Sequence, residues 1–323
     1  MRPCAACGSD RISVLRDDLR HEYVSDGRPA VWPYRLLQCD SCGMGFVDPE
    51  PSLDLLNTFY GAGYDCYVGG GEYSPLKRRM AAMRMAWIGG ASLRTAILSL
   101  AGMGVETLTG RTVSACLGVP LNLPRTARIL DLGYGGGAWL MTMAGLNYRD
   151  LHGYDIDANS ENAARLSSAG IRVSGGAFLS NDYPLESFDC IRMCHVFEHL
   201  IDPIEVLRKC HAMLRPGGVL VMEHPCLRSW VAAWNLDSSP LLQLPKHLYH
   251  HTPRSTSLML RSAGFAPREV KPYAVIAQLS AMLDNRRRRA AARRCRTPSR
   301  RSPPLIGFSA SPRGAAISSP PAP

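Results

Sequence analysis

The stretch Arg128-Ile129-Leu130-Asp131-Leu132-Gly133-Tyr134-Gly135-Gly136-Gly137 decides the fold of this chain. Its first five residues suit a short buried strand, and four of the next five are glycines. Glycine lets the backbone turn sharply and approach a ligand closely. We therefore predict a strand over 128–132, a glycine loop, and a helix that extends to about Asn147. An ordinary glycine-rich turn has the same pattern, so the loop alone leaves its ligand open.

Outward from this stretch, short apolar runs alternate with helical patterns through residues 126–285. This alternation predicts right-handed β-α-β units and a doubly wound, mostly parallel, Rossmann-like α/β sheet. The Asp202-Pro203 pair should open a helix with Glu205 in a capping box, and Thr252-Pro253 should open one that closes at Gly264. The other predicted strands are 151–155, 171–173, 188–193, 219–222 and 268–275, and a further helix is predicted over 160–169.

Two carboxylates flank the glycine loop. Asp155 ends the second predicted strand, 22 positions after Gly133, where a carboxylate can accept hydrogen bonds from ribose hydroxyls. The pattern Gly133-x-Gly135-x-x-Ala138 also satisfies the dinucleotide fingerprint, so a nicotinamide oxidoreductase stays open. Asp131 argues against it, because a carboxylate two residues before the first glycine would repel a pyrophosphate. It would suit a ligand that carries an ammonium and a sulfonium.

Five ordered motifs lie at 129–137, 153–157, 188–191, 195–200 and 214–218. Over roughly 126–275 they resemble class I S-adenosylmethionine-dependent methyltransferases, in particular the bacterial type 11, 12 and 23 group. The resemblance implies S-adenosylmethionine as cofactor, with the glycine loop beside its methionine part and the acidic end of strand two on its ribose. We also predict cofactor contacts for His195 and Phe178. The implied cofactor residues are Asp131, Gly133, Gly135, Gly137 and Asp155.

One position departs from that family. Its members usually have an acidic residue after strand three, near the adenine amino group, and residues 174–178 of this chain contain none. Phe178 could stack on adenine, or Asn181 or Asp182 could substitute for the missing carboxylate. The residue that recognises adenine therefore stays open.

Histidines and carboxylates follow the predicted strands four and five, where the methyl group should point. Methyl transfer needs an aligned nucleophile and often a general base, for which histidine is suited. These residues could instead have structural roles, in which Glu198-His199 caps a loop and His224 closes a strand. Histidines 247, 250 and 251 also suggest a metal, but no carboxylate at a matching spacing supports it. Our candidates for the base or for orientation are His199, Glu223, His224 and His247.

Four of the 11 cysteines form two Cys-x-x-Cys-Gly knuckles. Two such knuckles bring four thiolates to one tetrahedral ion. The start of the chain shows no export signal, so disulfides are disfavoured. We predict a structural Zn²⁺ site in an N-terminal zinc ribbon, with a rubredoxin-like iron site as the alternative, and its ligands are Cys4, Cys7, Cys39 and Cys42.

The predicted organisation has four parts: the ribbon (1–50), a helical linker or substrate cap (51–125), the methyltransferase domain (126–285) and a disordered tail (286–323). This order resembles bacterial enzymes that include sugar C-methyltransferases, in which the ribbon helps to form the substrate cleft.

The tail has ten arginines and no acidic residue. Removing these ten from the 37 basic residues leaves 27, which equals the number of acidic residues. The neutral body argues against nucleic-acid binding by the fold itself.

We therefore expect methyl transfer from S-adenosylmethionine to a small-molecule acceptor, such as a sugar or another secondary metabolite. Three alternatives stay open. They are a nucleic-acid methyltransferase guided by ribbon and tail, a non-catalytic ribbon protein with a degenerate methyltransferase domain, and the nicotinamide oxidoreductase named above. No apolar run suits a membrane span, so the expected location is the cytoplasm. The sequence leaves the acceptor atom and the oligomeric state open.

Overall fold

The structure, a computed structural model, describes residues 2–25, 28–57, 123–156, 161–229 and 242–268, with the side chains of 18–33 excepted. The predicted sixth strand, most of the predicted helical linker and the whole arginine-rich tail lie outside these residues. In the described part, no helix has the length and apolar character needed to cross a membrane.

A five-stranded parallel sheet forms the centre of the chain, in the order β6-β5-β4-β7-β8. This order confirms the predicted doubly wound α/β fold. Strand β4 has the predicted bounds, whereas β5 and β6 each differ from prediction by one residue at either end. The strands are β4 (Arg128–Leu132), β5 (Asp150–Tyr154), β6 (Arg172–Ser174), β7 (Phe188–Cys194) and β8 (Leu214–Glu223).

Helices cover both faces of this sheet, because successive strand residues point to opposite sides. Ile129 on β4 packs with buried residues of α2 (Ala138–Gly145) and α3 (Glu161–Ser168). Its neighbour Leu130 packs with buried residues of α4 (Pro203–Met213) and α5 (Pro253–Ser262). The resulting three layers leave the carboxyl ends of the strands at one edge, where ligands bind in such sheets.

A second sheet, antiparallel and four-stranded, has the order β1-β2-β3-β9. Strands β1 (Ile12–Ser25), β2 (Arg28–Cys39) and β3 (Gly45–Asp48) come from the N-terminal region, and a short helix, α1 (Leu53–Asn57), follows them. Strand β9 (Tyr249–His250) comes from the other end of the chain and pairs with β3. The N-terminal sheet is therefore completed by the segment that contains the predicted histidine motif.

Two local predictions differ from the structure. Asp202 is the N-cap residue of α4 and Pro203 follows it, but the Asp202 side chain makes no capping hydrogen bond and the predicted capping box is wrong. Glu205 instead pairs with Arg208, one turn along the same helix. A complete capping box occurs at α5, between Thr252 and Ser255. Strand β8 also begins earlier than predicted, because residues 215–218 bulge out while the chain stays paired with β7.

Candidate active site and metal centre

The glycine loop joins the carboxyl end of β4 to α2 and brings Asp155 against it. The Gly135 amide donates a hydrogen bond of 2.9 Å to Asp155 Oδ2, and the Gly133 amide donates one of 2.7 Å to the Tyr154 carbonyl. Gly133 has a φ of +80°, and a Cβ there would lie 2.2 Å from Val196 Cγ2. The predicted loop residues and the predicted ribose residue thus lie together, in a loop that glycine alone fits.

Asp131 lies at the same edge but is already paired. It is 1% exposed, and Arg192 Nη1 on β7 donates a hydrogen bond of 2.6 Å to its Oδ1. Burial raises the pKa of Asp131, and the charge of Arg192 opposes that shift. The other oxygen, Oδ2, has no hydrogen-bond partner within the described residues. Only this second oxygen therefore remains for the predicted interaction with a cationic ligand.

His195 lies just beyond β7, between two carboxylates. Its Nδ1 is 3.3 Å from Glu198 Oε1, its Nε2 is 3.6 Å from Glu223 Oε1, and its side chain is 42% exposed. Burial lowers the pKa of His195, but the hydrogen bonds and charges of Glu198 and Glu223 outweigh burial and raise it to about 10. His195 is therefore positively charged at neutral pH and supplies a positive charge rather than a proton acceptor.

His199 and His247 meet at a site that we call the histidine junction, formed by residues 197–199 and 247–252. Their rings are 4.7 Å apart, and His199 Nδ1 donates a hydrogen bond of 2.9 Å to the Lys246 carbonyl. Burial lowers the pKa of His199. The buried Glu198 completes the group, with Oε1 at 4.0 Å from His247 Nε2. The structure thus brings together two of the four predicted catalytic candidates.

The other two candidates lie nearby but contact different partners. Glu223 ends β8 beside His195, as described above. His224 Nε2 is 3.2 Å from Thr256 Oγ1 on α5, and its ring is 4.8 Å from that of His251. Burial lowers the pKa of His224. Its contact with α5 is consistent with the alternative structural role, in which His224 helps to close the strand.

Phe178 lies beside Tyr154, the last residue of β5. Its ring is 9% exposed and packs 5.0 Å from the Tyr154 ring, with Lys209 Nζ 5.2 Å from its centroid. Lys209 also donates a hydrogen bond of 2.8 Å to the Phe178 carbonyl. The ring is thus held by protein contacts, and its stacking on adenine stays a prediction.

The four predicted metal ligands form one cluster, with all four sulfurs within 4.8 Å of one another. The Sγ atoms of Cys4 and Cys42, and those of Cys7 and Cys39, are 3.5 Å apart. A tetrahedral Zn²⁺ with bonds of about 2.3 Å needs sulfur pairs about 3.8 Å apart. The cluster therefore fits a tetrahedral ion.

The knuckle at Cys39–Gly43 is tied directly to the histidine junction. Thr252 Oγ1 donates a hydrogen bond of 2.9 Å to the Cys42 carbonyl, and it also accepts one of 3.1 Å from the Ser255 amide. The Val47 amide donates a hydrogen bond of 3.1 Å to the Leu248 carbonyl, and Gly45 pairs with His250. The position of the junction histidines therefore depends on the fold of the N-terminal sheet.

A family model described as a methyltransferase domain matches residues 108–270, about half of the chain. The chain belongs to this methyltransferase family. The match confirms the family predicted from the glycine loop, the acidic end of strand two and the motifs after strands four and five.

Two curated relatives are ubiquinone biosynthesis O-methyltransferases. The chain is 31% identical to that of Xanthomonas axonopodis pv. citri, over 46% of this chain and 66% of the relative. It is 28% identical to that of Bordetella avium, over 49% of this chain and 70% of the relative. A solved S-adenosylmethionine-dependent methyltransferase from Mesorhizobium loti is 23% identical, with a TM-score of 0.38, and the match covers 50% of this chain and 86% of that one. The chain thus spans just under two thirds of the first relative.

Two features of this methyltransferase site were missed by sequence reasoning. Arg192 had one available signal, an arginine inside a strand expected to be buried, which requires an acidic partner. Glu198 is not among the predicted catalytic candidates, although it contacts His195 and lies beside His199 and His247. Of these neighbours, His247 comes from a segment about 50 residues away, which no local pattern reveals.

Proposed function

We propose that the chain transfers the methyl group of S-adenosylmethionine to an oxygen of a small-molecule acceptor. The observation that carries the proposal is the contact between the glycine loop and Asp155, in a chain of the methyltransferase family. The loop offers backbone amides and close approach, and a carboxylate at the end of β5 suits ribose hydroxyls. The curated relatives are named O-methyltransferases, which favours oxygen as the acceptor atom. Sugars and secondary metabolites remain the acceptor classes to screen.

In this proposal the reaction is a direct displacement at the sulfonium methyl group, so alignment of the acceptor supplies much of the rate enhancement. The charged His195 lies at the ends of β7 and β8 and suits an acceptor oxygen that carries negative charge. The proton acceptor belongs to the proposed set His199, Glu223, His224 and His247.

We further propose that the four-cysteine cluster holds a structural Zn²⁺ through Cys4, Cys7, Cys39 and Cys42. Such an ion stabilises the ribbon and supplies no reactive group.

Calorimetric titration with S-adenosylmethionine tests the proposal. We expect micromolar binding by the intact chain and at least a tenfold loss of affinity in Asp155→Ala. The matched control is Asp150→Asn, because Asp150 begins the same strand at its opposite end and pairs with Arg172. A folded, metal-loaded protein that does not bind the cofactor would overturn the proposal, as would equal affinities of the intact chain and Asp155→Ala.

An acceptor screen follows from binding. Candidate phenols, sugars and other hydroxylated metabolites are incubated with the protein and the cofactor, and mass spectrometry records the gain of one methyl group. RNA and DNA are included as acceptors at low and high salt. Methylation of nucleic acid alone would overturn the small-molecule proposal.

A further inference from the structure

We propose that Glu198, His199 and His247 form a second metal site, for a divalent transition-metal ion. One ligand atom from each of the three side chains lies within 4.8 Å of the other two. Two imidazoles and one carboxylate suit Zn²⁺, Co²⁺ or Fe²⁺ rather than Ca²⁺ or Mg²⁺. The sequence offered histidines without a matching carboxylate. The fold supplies that carboxylate from the 3₁₀ turn at Phe197–His199.

The carboxylate of Glu198 needs a partner that the described residues do not fully provide. The side chain is 1% exposed. Its Oε1 lies 3.3 Å from His195 Nδ1, whereas Oε2 is buried and has no hydrogen-bond partner within the described residues. An unsatisfied buried carboxylate oxygen is costly, and a cation beside it would remove that cost.

His199 is held in a form that suits metal binding. Its Nδ1 donates a hydrogen bond to the Lys246 carbonyl, so the neutral ring carries its lone pair on Nε2. Histidines that bind metals usually donate their other ring N–H to a carbonyl or carboxylate in this way. The backbone contact between the two segments is also fixed, because the Leu248 amide donates a hydrogen bond of 2.8 Å to the Glu198 carbonyl.

The spacing requires a small adjustment. Bonds of about 2.0–2.2 Å place the ligand atoms of a tetrahedral ion about 3.4 Å apart, so the side chains must close by at most about 1.4 Å. Glu198 and His247 are buried while His199 is half-buried, which leaves one side for entry. Three protein ligands leave an open coordination position. If the proposed function holds, this position suits an oxygen of the acceptor. Glu223 and His224 then remain as the proposed proton acceptors, because His199 and His247 are both coordinated to the metal.

A Co²⁺ titration of the full chain, with the four-cysteine site filled with zinc, tests the site. We expect one further equivalent of Co²⁺ by equilibrium dialysis. Its spectrum should show visible d–d bands but lack the near-ultraviolet sulfur-to-metal charge-transfer absorption that cobalt in a thiolate site shows. Glu198→Gln and His247→Asn should each weaken this binding at least tenfold. His211→Asn, an exposed histidine on α4, is the matched control and should bind as the intact chain does.

Two results would overturn the site: no second equivalent at millimolar Co²⁺, or unchanged binding in both variants. Zinc content and the melting temperature establish that each variant is folded. His199→Asn replaces any variant that is not, and retained binding in it counts against the site. Calorimetry with S-adenosylmethionine on the same samples separates the two proposals. Cofactor binding without a second metal overturns only the metal site, and metal binding without the cofactor overturns only the proposed function.

Discussion

The glycine loop and the histidine junction lie at neighbouring strand ends, but they are built from contacts of very different range. In the loop, Gly135 binds Asp155, 20 residues further along the chain. In the junction, His199 binds the carbonyl of Lys246, 47 residues away, and Thr252 binds that of Cys42, 210 residues away. The loop is therefore a property of one β-α-β unit, whereas the junction needs two segments some 200 residues apart. Perturbing the N-terminal sheet should damage the junction and spare the loop.

The largest effect is expected for Cys42→Ser. Structural zinc supplies about 10–16 kcal/mol of apparent binding free energy in zinc-finger peptides, so loss of one ligand should unfold the knuckle that holds Thr252. We expect loss of zinc and faster amide hydrogen exchange at residues 247–252. The affinity for S-adenosylmethionine should change less than threefold. Mass spectrometry with hydrogen exchange and metal analysis measure these effects.

The control for that variant is Cys226→Ser, a half-buried cysteine outside the four-cysteine cluster. It should keep both the zinc and the slow exchange of the junction. Unchanged exchange at 247–252 in a zinc-free Cys42→Ser protein would show that the junction does not depend on the metal centre.

Gly133→Ala tests whether the glycine loop tolerates a side chain at this position. The new Cβ would lie 2.2 Å from Val196 Cγ2 at a φ of +80°, so steric overlap and backbone strain both act. We expect the free energy of unfolding to fall by about 3 kcal/mol, with loss of cofactor binding. Gly170→Ala has a similar φ of +79° but no atom within 4 Å, and should cost about 1 kcal/mol. Urea unfolding measures both, and equal losses would mean that the contact with Val196 carries no cost.

The sequence separation of the contacts in each region also explains which features could be predicted from the sequence. The glycine loop, Asp155 and the bounds of β4 follow from residues close together in the chain, and all lie where expected. The Asp131–Arg192 pair depends on the register between β4 and β7, in which these two residues are partners. The pairing of β3 with the two-residue strand β9 is harder still to predict from the local sequence. A two-residue strand has no period to detect, and its partner is some 200 residues away.

Local patterns also fail where side chains compete. The sequence around Asp202 fits a capping box, yet Glu205 pairs with Arg208 instead. At α5 the less typical Thr252–Ser255 pair forms the box, because both hydroxyls are buried there and must bond to the backbone. Both capping boxes are local sequence patterns, and the burial of the side chains decides which of the two forms.

Thr252→Val should give a smaller effect than the glycine variant. It removes a hydroxyl that caps α5 and also donates to the Cys42 carbonyl, at nearly constant volume. We expect a loss of about 2 kcal/mol in the free energy of unfolding and faster exchange at 247–252. Thr252→Ser keeps the hydroxyl and should restore most of that loss. Equal destabilisation by both variants would assign the effect to packing of the methyl group instead.

The smallest effect concerns His195, which lies between the loop and the junction. Its pKa is raised in the folded state to about 10, from about 6.5 in the unfolded chain. Its stabilising contribution is therefore fully present below about pH 6.5 and is lost as the pH rises toward 10. Because the His195 side chain is 42% exposed, solvent weakens its attraction to the two carboxylates, and we expect most of this loss to occur before pH 10.

The measurement is the difference in free energy of unfolding between the intact chain and His195→Gln, followed from pH 6 to pH 10. It should decline steadily with pH. A difference that does not vary with pH would mean that Glu198 and Glu223 do not hold His195 in its charged form. In that case His195 would be a neutral ring at the boundary of the two regions, and it would join the proposed proton acceptors.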